Sequence, residues 1–485
     1  MKSFRIIALF SLIVHQFSYS IDDCFEFLSR CQPVEEHEKT AQFFMMTRPI
    51  YRNLAAQWAT GWRDFVYEKC GNRLASLQAI GIYQQSQPMH KISAYFLFNR
   101  LSSLVVKGDA TFQPTLRDVR AEWIGLPSNF SGTFAINPKQ QQGGVWLEYN
   151  QDLKKLVKHK FFKPFWLSFA LPIQFIENDL QVTQTNVQNT GPNNQDLISA
   201  FNQGLWRYAR FNPSSQKKAG VSDITAKLGC TFLSRDGIHV GLYSLFLIPL
   251  SGGQNAKFVF DPYLGYNGHF GFGIGANFQL PLNNDTDCKL LALFFDIENI
   301  YLARRSQHRI FDLLFKPWSR YLPFNKIDGT SNIPGPNILT FKTTVHPYNF
   351  VDLTAGFRCN KGIFDAEIGY NLWAHGNEKV ELDEPFPAGT YGIAGSAPFK
   401  TSSESTINNQ ASDDASFTPI AVNDLNFITP QARAAVVNKV HIAAGITIER
   451  CLFSFLAGVG GLYEFPTRNT ALTNWGVWVK FGGTY

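Results

Sequence analysis

The densest group of side chains able to act on a solute lies at 304–320. It holds Arg304, Arg305, His308, Arg309, Asp312, Lys316, Trp318 and Arg320, with Phe311, Leu313, Leu314 and Phe315 between them. If that segment is helical, Arg305, Arg309 and Asp312 share a face. A long loop with one cationic and one apolar face can fold into a pore and narrow it. Clustered Arg and Lys bias such a pore toward anions. Arg304, Arg305, His308, Arg309 and Arg320 are therefore the candidate pore constriction. The plainer alternative is a helix lying over an external rim with its charges in water.

Other chemistry is sparse. There is no Gly-x-Ser-x-Gly and no His-Glu-x-x-His, so neither hydrolase signature is present. Gly271-Phe272-Gly273-Ile274-Gly275 imitates a dinucleotide loop, but it sits inside an alternating strand pattern with no helix after it. Its glycines read as lumen space opposite outward aromatics. The histidines are scattered singly, and His239, His269 and His441 alternate into strand patterns. Glu148, Asp296, Glu298, Asp365, Glu367 and Glu449 do the same. All read as polar residues facing a lumen, and paired carboxylates for acid–base catalysis are not identifiable. No enzyme, cofactor or metal centre is expected. The basic run Lys154, Lys155, Lys158 and Lys160 reads as a solvated turn, with contact to anionic lipid as the alternative.

The elements that position these residues follow from an alternation of period two. Trp475, Val477, Val479, Phe481 and Tyr485 fall on one face of the last segment, with Gly483 among them. Asn474, Gly476, Trp478, Lys480, Gly482 and Thr484 fall on the other, as a strand with one apolar and one largely polar face requires. The same alternation recurs at 224–232, 238–242, 270–278, 291–297, 351–357, 364–372, 440–448 and 453–465. Most of these runs are 7–13 residues long, whereas strands of soluble proteins average about 5–6 and a membrane-crossing barrel strand needs about 9–11. Asn360-Lys361-Gly362 and Ser234-Arg235-Asp236-Gly237 mark tight hairpins.

Composition agrees. Charged residues are 17% of 485 and aromatics 15%, with 44 Phe. A typical soluble domain carries about 25% charged residues. This balance excludes a disordered chain and a coiled coil. A net charge of +6, dispersed along the chain, gives no reason to expect nucleic acid. Residues 1–20 read as a cleaved signal peptide, with Lys2 and Arg5 before the apolar run Ile6–Val14 and small Ser18 and Ser20 before Ile21. No later run approaches the length of a spanning helix. Of the seven cysteines, Cys24 and Cys31 are spaced to close a short loop in an oxidising compartment. Cys230, Cys288, Cys359 and Cys451 fall near predicted tight turns and read as small residues filling apolar positions, and no spacing resembles a zinc site.

The terminal aromatic strand and the chain-wide alternation resemble those of Gram-negative outer-membrane β-barrels, of the porin-like channel class. That resemblance implies a bacterial outer-membrane location, lipid around the barrel and small solutes inside it. It also implies that Trp475, Val477, Val479, Phe481 and Tyr485 form an insertion signal read by the barrel-assembly machinery. A homo-oligomer and a monomer both fit.

Connection lengths give the expected topology. From residue 164 they run long (177–219), short (233–237), medium (250–262), short (281–288), long (302–346), short (359–362), longest (375–436) and short (449–451). Short periplasmic turns and long external loops alternate in this way in outer-membrane barrels. With Tyr485 on the periplasmic side, every short turn falls on that side. The fold expected is all-β, a closed antiparallel transmembrane barrel over 73–485. It would hold about 14 strands, within 12–16, with candidate early strands near 73–83, 91–99, 103–113, 117–126, 130–137 and 143–152. Residues 21–72 read as a periplasmic extension or a plug, and 395–418 as a solvated external loop. The expected function is a passive channel whose loops fold toward the lumen and set selectivity. The alternative is a surface barrel whose loops serve adhesion or structure, with no open pore.

Overall fold

The structure, a computed structural model, describes residues 41–67, 74–87, 90–111, 117–157, 161, 164–235, 237–283, 289–330, 332–393, 419–450 and 453–485. Residues 1–20, read above as a signal peptide, Cys24, Cys31, Lys158, Lys160 and the 395–418 segment lie outside them, as do the side chains of Lys154 and Lys155.

Twelve long strands form a ring. In chain order they are β1 (Ala75–Ser86), β2 (Lys139–Asp152), β3 (Phe165–Asp179), β4 (Ile224–Arg235), β5 (Ile238–Ile248) and β6 (Gly271–Pro281). They continue with β7 (Lys289–Leu302), β8 (Tyr348–Lys361), β9 (Phe364–His375), β10 (Ala435–Glu449), β11 (Ser454–Pro466) and β12 (Asn474–Thr484). Each pairs antiparallel with its neighbour in sequence, and β1 pairs with β12 from Ser76 opposite Thr484 to Ser86 opposite Asn474. That seam closes the sheet and leaves no free edge, which is what lipid demands of a spanning sheet. A short strand at Gln216–Val221 extends the upper half of β3 outside the ring.

The alternation read from sequence is the alternation of faces. Along β12, Trp475, Val477, Val479 and Phe481 point outward and are exposed, while Gly476, Trp478 and Lys480 are buried inside. Ile368, Ile442 and Phe357 continue the outward apolar surface around the ring. A contiguous apolar surface of this extent marks contact with a membrane or partner.

The ring has two strands fewer than the fourteen favoured from sequence. The candidate strands between 91 and 137 belong elsewhere. Residues His90–Phe96 are helical, and Ser103–Lys107 and Ser131–Ala135 are five-residue strands. Five residues cannot cross the hydrocarbon zone, which needs about 9–11. They pair instead with each other, and Ser131–Ala135 pairs on its other edge with Thr183–Gln188, from the connection between β3 and β4.

The connections on one side of the ring build a cap. Arg305–Ile310 pairs with Thr340–His346 and, through it, with Lys379–Leu382, so the β7–β8 and β9–β10 connections are laced together. Pro323–Lys326 and Tyr391–Ile393 add a second such bridge. Beneath them lies a continuous apolar core rich in aromatics, including Phe98, Phe134, Phe201, Phe211, Trp318 and Tyr321. The rings of Phe134 and Phe201 lie 4.4 Å apart, and those of Trp318 and Tyr321 4.8 Å apart. On the opposite side β8 and β9 are joined by just Gly362 and Ile363, whereas β2 and β3 are joined by a longer connection that starts with the helix Leu153–Leu156.

Candidate functional site: the lumen and residues 41–67

Because strands alternate, the inward face collects the polar residues. Glu148 on β2, Asp296 and Glu298 on β7, Asp352 on β8, Asp365 and Glu367 on β9 and Glu464 on β11 are all buried within the ring. The buried cations of the wall are Lys227, Arg358, Lys439 and Lys480. Seven carboxylates against four cations leave the described wall at −3. Three internal pairs cancel within it, Arg358–Asp365 at 2.5 Å, Lys439–Glu464 at 2.8 Å and Lys227–Glu298 at 2.8 Å. A charge buried without a partner is expensive, so the remaining carboxylates need compensation from elsewhere.

Residues 41–67 supply it. The segment starts under the cap, where Gln42 donates its backbone N–H to the Tyr95 carbonyl (2.9 Å). It runs down the lumen through helix α1 (Leu54–Trp58) and a turn at Thr60-Gly61 to helix α2 (Trp62–Tyr67). Asn53 caps α1, its side chain accepting from Ala56 N. Three arginines of the segment reach the wall. Arg48 donates to Asp352 (2.6 Å) and Asn371 (2.6 Å) and lies 3.3 Å from Glu464. Arg52 pairs with Glu298. Arg63 donates two nitrogens to Asp296 (2.8 and 2.6 Å), lies 3.7 Å from Glu367, and places its guanidinium 4.1 Å over the Phe294 ring. The segment's three buried guanidiniums match the surplus of the ring strands in number, and Asp223, a further buried carboxylate just ahead of β4, is held by Tyr51.

Polar contacts continue between them. Gln57 Nε2 donates to Glu148 (2.9 Å), and its Oε1 accepts from Lys227 Nζ (3.3 Å). Tyr51 donates to Asp223 (2.8 Å). Lys480 Nζ donates to the carbonyls of Ala56 (3.1 Å) and Gln57 (3.2 Å), and also to that of Ala59. These are the free carbonyls at the end of α1, where a cation is favoured. Apolar packing fills the gaps, with Trp58 and Trp62 joining Trp166, Tyr243 and Leu456 in one core. The turn fits only because glycines line the wall. A Cβ at Gly458 would lie 2.3 Å from Thr60 Oγ1, and Gly61 (φ +80°) would put one 2.3 Å from Thr447 Oγ1. Among the described residues, cavities beside Arg48 and Glu464 and beside Tyr51 and Arg52 are water-sized.

The Gly271–Gly275 run also proves to be packing. Gly275 lies directly opposite Tyr243, whose ring would clash with a Cβ there, so the space is taken by an inward aromatic of the neighbouring strand. Trp166 over Gly229 and Trp478 over Gly460 repeat the arrangement.

The candidate constriction residues lie in the cap, where Arg305, His308 and Arg309 are on the strand Arg305–Ile310, Arg304 just precedes it, and Arg320 is in a single 3-10 turn, Ser319–Tyr321. The β-branched partner at 340–346 draws Arg305–Ile310 into a ladder of period two. Arg304 and His308 are exposed, His308 stacking on Tyr208 (5.9 Å, 20°). Arg305 donates to the Asn267 carbonyl (3.4 Å). Arg309 is buried against Glu378 (3.1 Å) and lies 4.0 Å over the Phe44 ring. Arg320 is buried against Asp312 (2.5 Å) and donates to the Ala41 carbonyl (2.7 Å). Arg309 and Arg320 therefore grip the upper end of the lumen segment, while the other three do not meet it. Of the terminal motif, Trp475, Val477, Val479 and Phe481 line the outer face, and the exposed Tyr485 accepts from Leu74 N (2.7 Å) at the seam. Among the lumen histidines, His239 and His441 are buried in strands, while His269 belongs to the cap connection, and Glu449 is exposed.

Sequence reasoning passed over Arg48, Arg52 and Arg63. Their signal is present in retrospect: 41–67 holds three Arg and only one acidic residue, Asp64, in an otherwise uncharged and mostly apolar stretch.

No family model and no curated protein matches the chain. Solved structures with similarity include an outer-membrane channel from Pseudomonas putida F1 (9% identity, TM-score 0.37, covering 86% of this chain and 97% of that one). A FadL homologue from Pseudomonas aeruginosa aligns at 10% identity and TM-score 0.29 over 92% of this chain and 99% of that one. The translocator domain of the autotransporter NalP from Neisseria meningitidis aligns at 7% and 0.28 over 86% and 90%. By its own geometry the chain is a closed antiparallel β-barrel of the outer-membrane type, apolar outside and polar within.

Proposed function

We propose that the protein is an outer-membrane channel for small solutes, held closed by residues 41–67 acting as a plug. The observation that carries this reading is the charge balance of the lumen. A surplus of −3 on the described ring strands is met by three arginines of one non-wall segment. A barrel serving only as an anchor has no need of a charged interior, which costs more to fill than an apolar one. Removing the segment would leave a polar, hydratable path through the ring, as in solute channels. Transport is passive, and no catalytic role is assigned to any residue. The signal peptide, the terminal strand and the outward apolar band fit export to the outer membrane and recognition by its assembly machinery.

The cap favours a second reading. Long connections interlocked by strand pairing over their own aromatic core form a rigid surface, suited to adhesion or surface structure. Refolding the mature chain in detergent and recording currents across planar bilayers separates the two. Discrete conductance steps from a heat-modifiable barrel are expected. A folded barrel that stays silent, including after the plug arginines are neutralised, would overturn the channel and leave the surface role.

A further inference from the structure

The cap and the wall make opposite claims on solute charge. Cap residues 304–320 are rich in cations, yet the two buried ones are each cancelled, Arg309 by Glu378 and Arg320 by Asp312. The wall is different once the internal pairs are set aside. Glu148, Asp296, Asp352 and Glu367 then remain, against Lys480 alone.

Each of these five groups faces the plug. Asp296 is held by Arg63, Asp352 by Arg48 and Asn371, and Glu148 by Gln57, Gln78 and Ser168. Glu367 lies between Arg63 (3.7 Å) and Arg358 (3.9 Å). Lys480 is saturated by plug carbonyls. Cross-strand register brings the acids together: Asp296 is opposite Thr354, and Glu298 is opposite Asp352, on β7 and β8. Departure of the plug therefore uncovers a carboxylate cluster in a narrow, low-dielectric passage, where a fixed charge acts most strongly.

We infer that the open lumen selects cations, and that its solutes are small cationic molecules able to replace the plug guanidiniums. This rests on the channel reading and reverses the anion preference that the 304–320 segment alone suggests. The acidic residues that set it are Glu148, Asp296, Asp352 and Glu367, and the plug is a built-in competitor for the same site.

The test uses the full chain carrying R48Q, R52Q and R63Q together, which weakens the plug without shortening the chain. In a KCl gradient its openings are expected to reverse at a potential of the cation-selective sign. Adding D296N and D352N should move that potential most of the way to zero. A second measurement needs no current. With T354C added to the triple variant, a trimethylammonium-ethyl methanethiosulfonate should modify residue 354 several-fold faster than the sulfonato-ethyl reagent. Rates are taken relative to those with a free thiol in solution and read by mass at the peptide carrying residue 354. Anion-selective or unselective openings, or equal relative rates, would overturn the inference and leave the channel standing. A folded triple variant that neither conducts nor reacts at residue 354 would overturn both.

Discussion

The lumen and the cap are both filled, but by different physics. The lumen is joined by guanidinium–carboxylate contacts between a wall of −3 and a segment carrying three arginines. The cap is joined by aromatic packing, with Trp318 touching the rings of Phe98, Phe201, Phe211 and Tyr321. Apolar packing loses stability gradually as contacts are trimmed. A buried ion pair fails steeply, because the abandoned partner is left charged in a dry site. On the proposed reading the cap persists, while a small change in charge releases the lumen segment.

Arg63→Met should have the largest effect on this contrast. It abandons Asp296 and leaves Glu367 with Arg358 as its remaining cation, a loss of about 3–5 kcal/mol in docking of the plug. Limited proteolysis should then cut within 41–67 while the barrel keeps its heat-modifiable mobility. An unchanged cleavage pattern would mean that the plug is held by its tryptophans instead. Trp318→Ala should cost the cap about 3–4 kcal/mol. Amide exchange should rise across 305–346 and remain unchanged on β10–β12, and a rise in both would erase the distinction between the regions.

Acid should also separate them. His269 donates Nδ1–H to the Ala303 carbonyl (2.8 Å), and Nε2 accepts from Gln307 (2.7 Å). Gln307 is fixed as donor because its oxygen accepts from Asn267 and Arg309. Burial lowers the His269 pKa to about 4. The unfolded chain therefore binds the extra proton more readily, and this stabilising contribution is lost as pH falls from about 6.5 toward about 4. Cap melting followed by tryptophan fluorescence should show that dependence, and H269Q should flatten it. The smallest expected effect is Asn53→Ala, which removes the α1 cap at a cost of about 1 kcal/mol. Faster exchange at Ala56 N alone is the expected sign.

What could be read from sequence was what repeats locally. Period-two runs such as 440–448 and 475–481 lie on β10 and β12 with the expected faces outward, since lipid imposes one rule on every strand. The phase of short and long connections follows from the same meander. The cap was not legible, because its short strands find partners in other connections, as Thr343 does in Leu382. The plug was one of two readings of residues 21–72, but its contacts were not legible. Arg48 meets Asp352 and Glu464 across more than three hundred residues, and nothing near residue 48 announces carboxylates so distant.

The seam between β1 and β12 has a bearing on assembly. The wall becomes continuous only when Ser76 finds Thr484, a pairing of nearly the greatest sequence separation the chain permits. Such contacts form late, since their loop-closure cost must be met before they stabilise anything. Residues 41–67, tethered just ahead of β1 and gripped from the cap to the Thr447 end of β10, are in place to be enclosed like a rope inside a buckling belt. On that order of events the arginines of the segment also act as a jig, gathering the acidic faces of β7, β8 and β9 around a common axis before the last strand locks the ring.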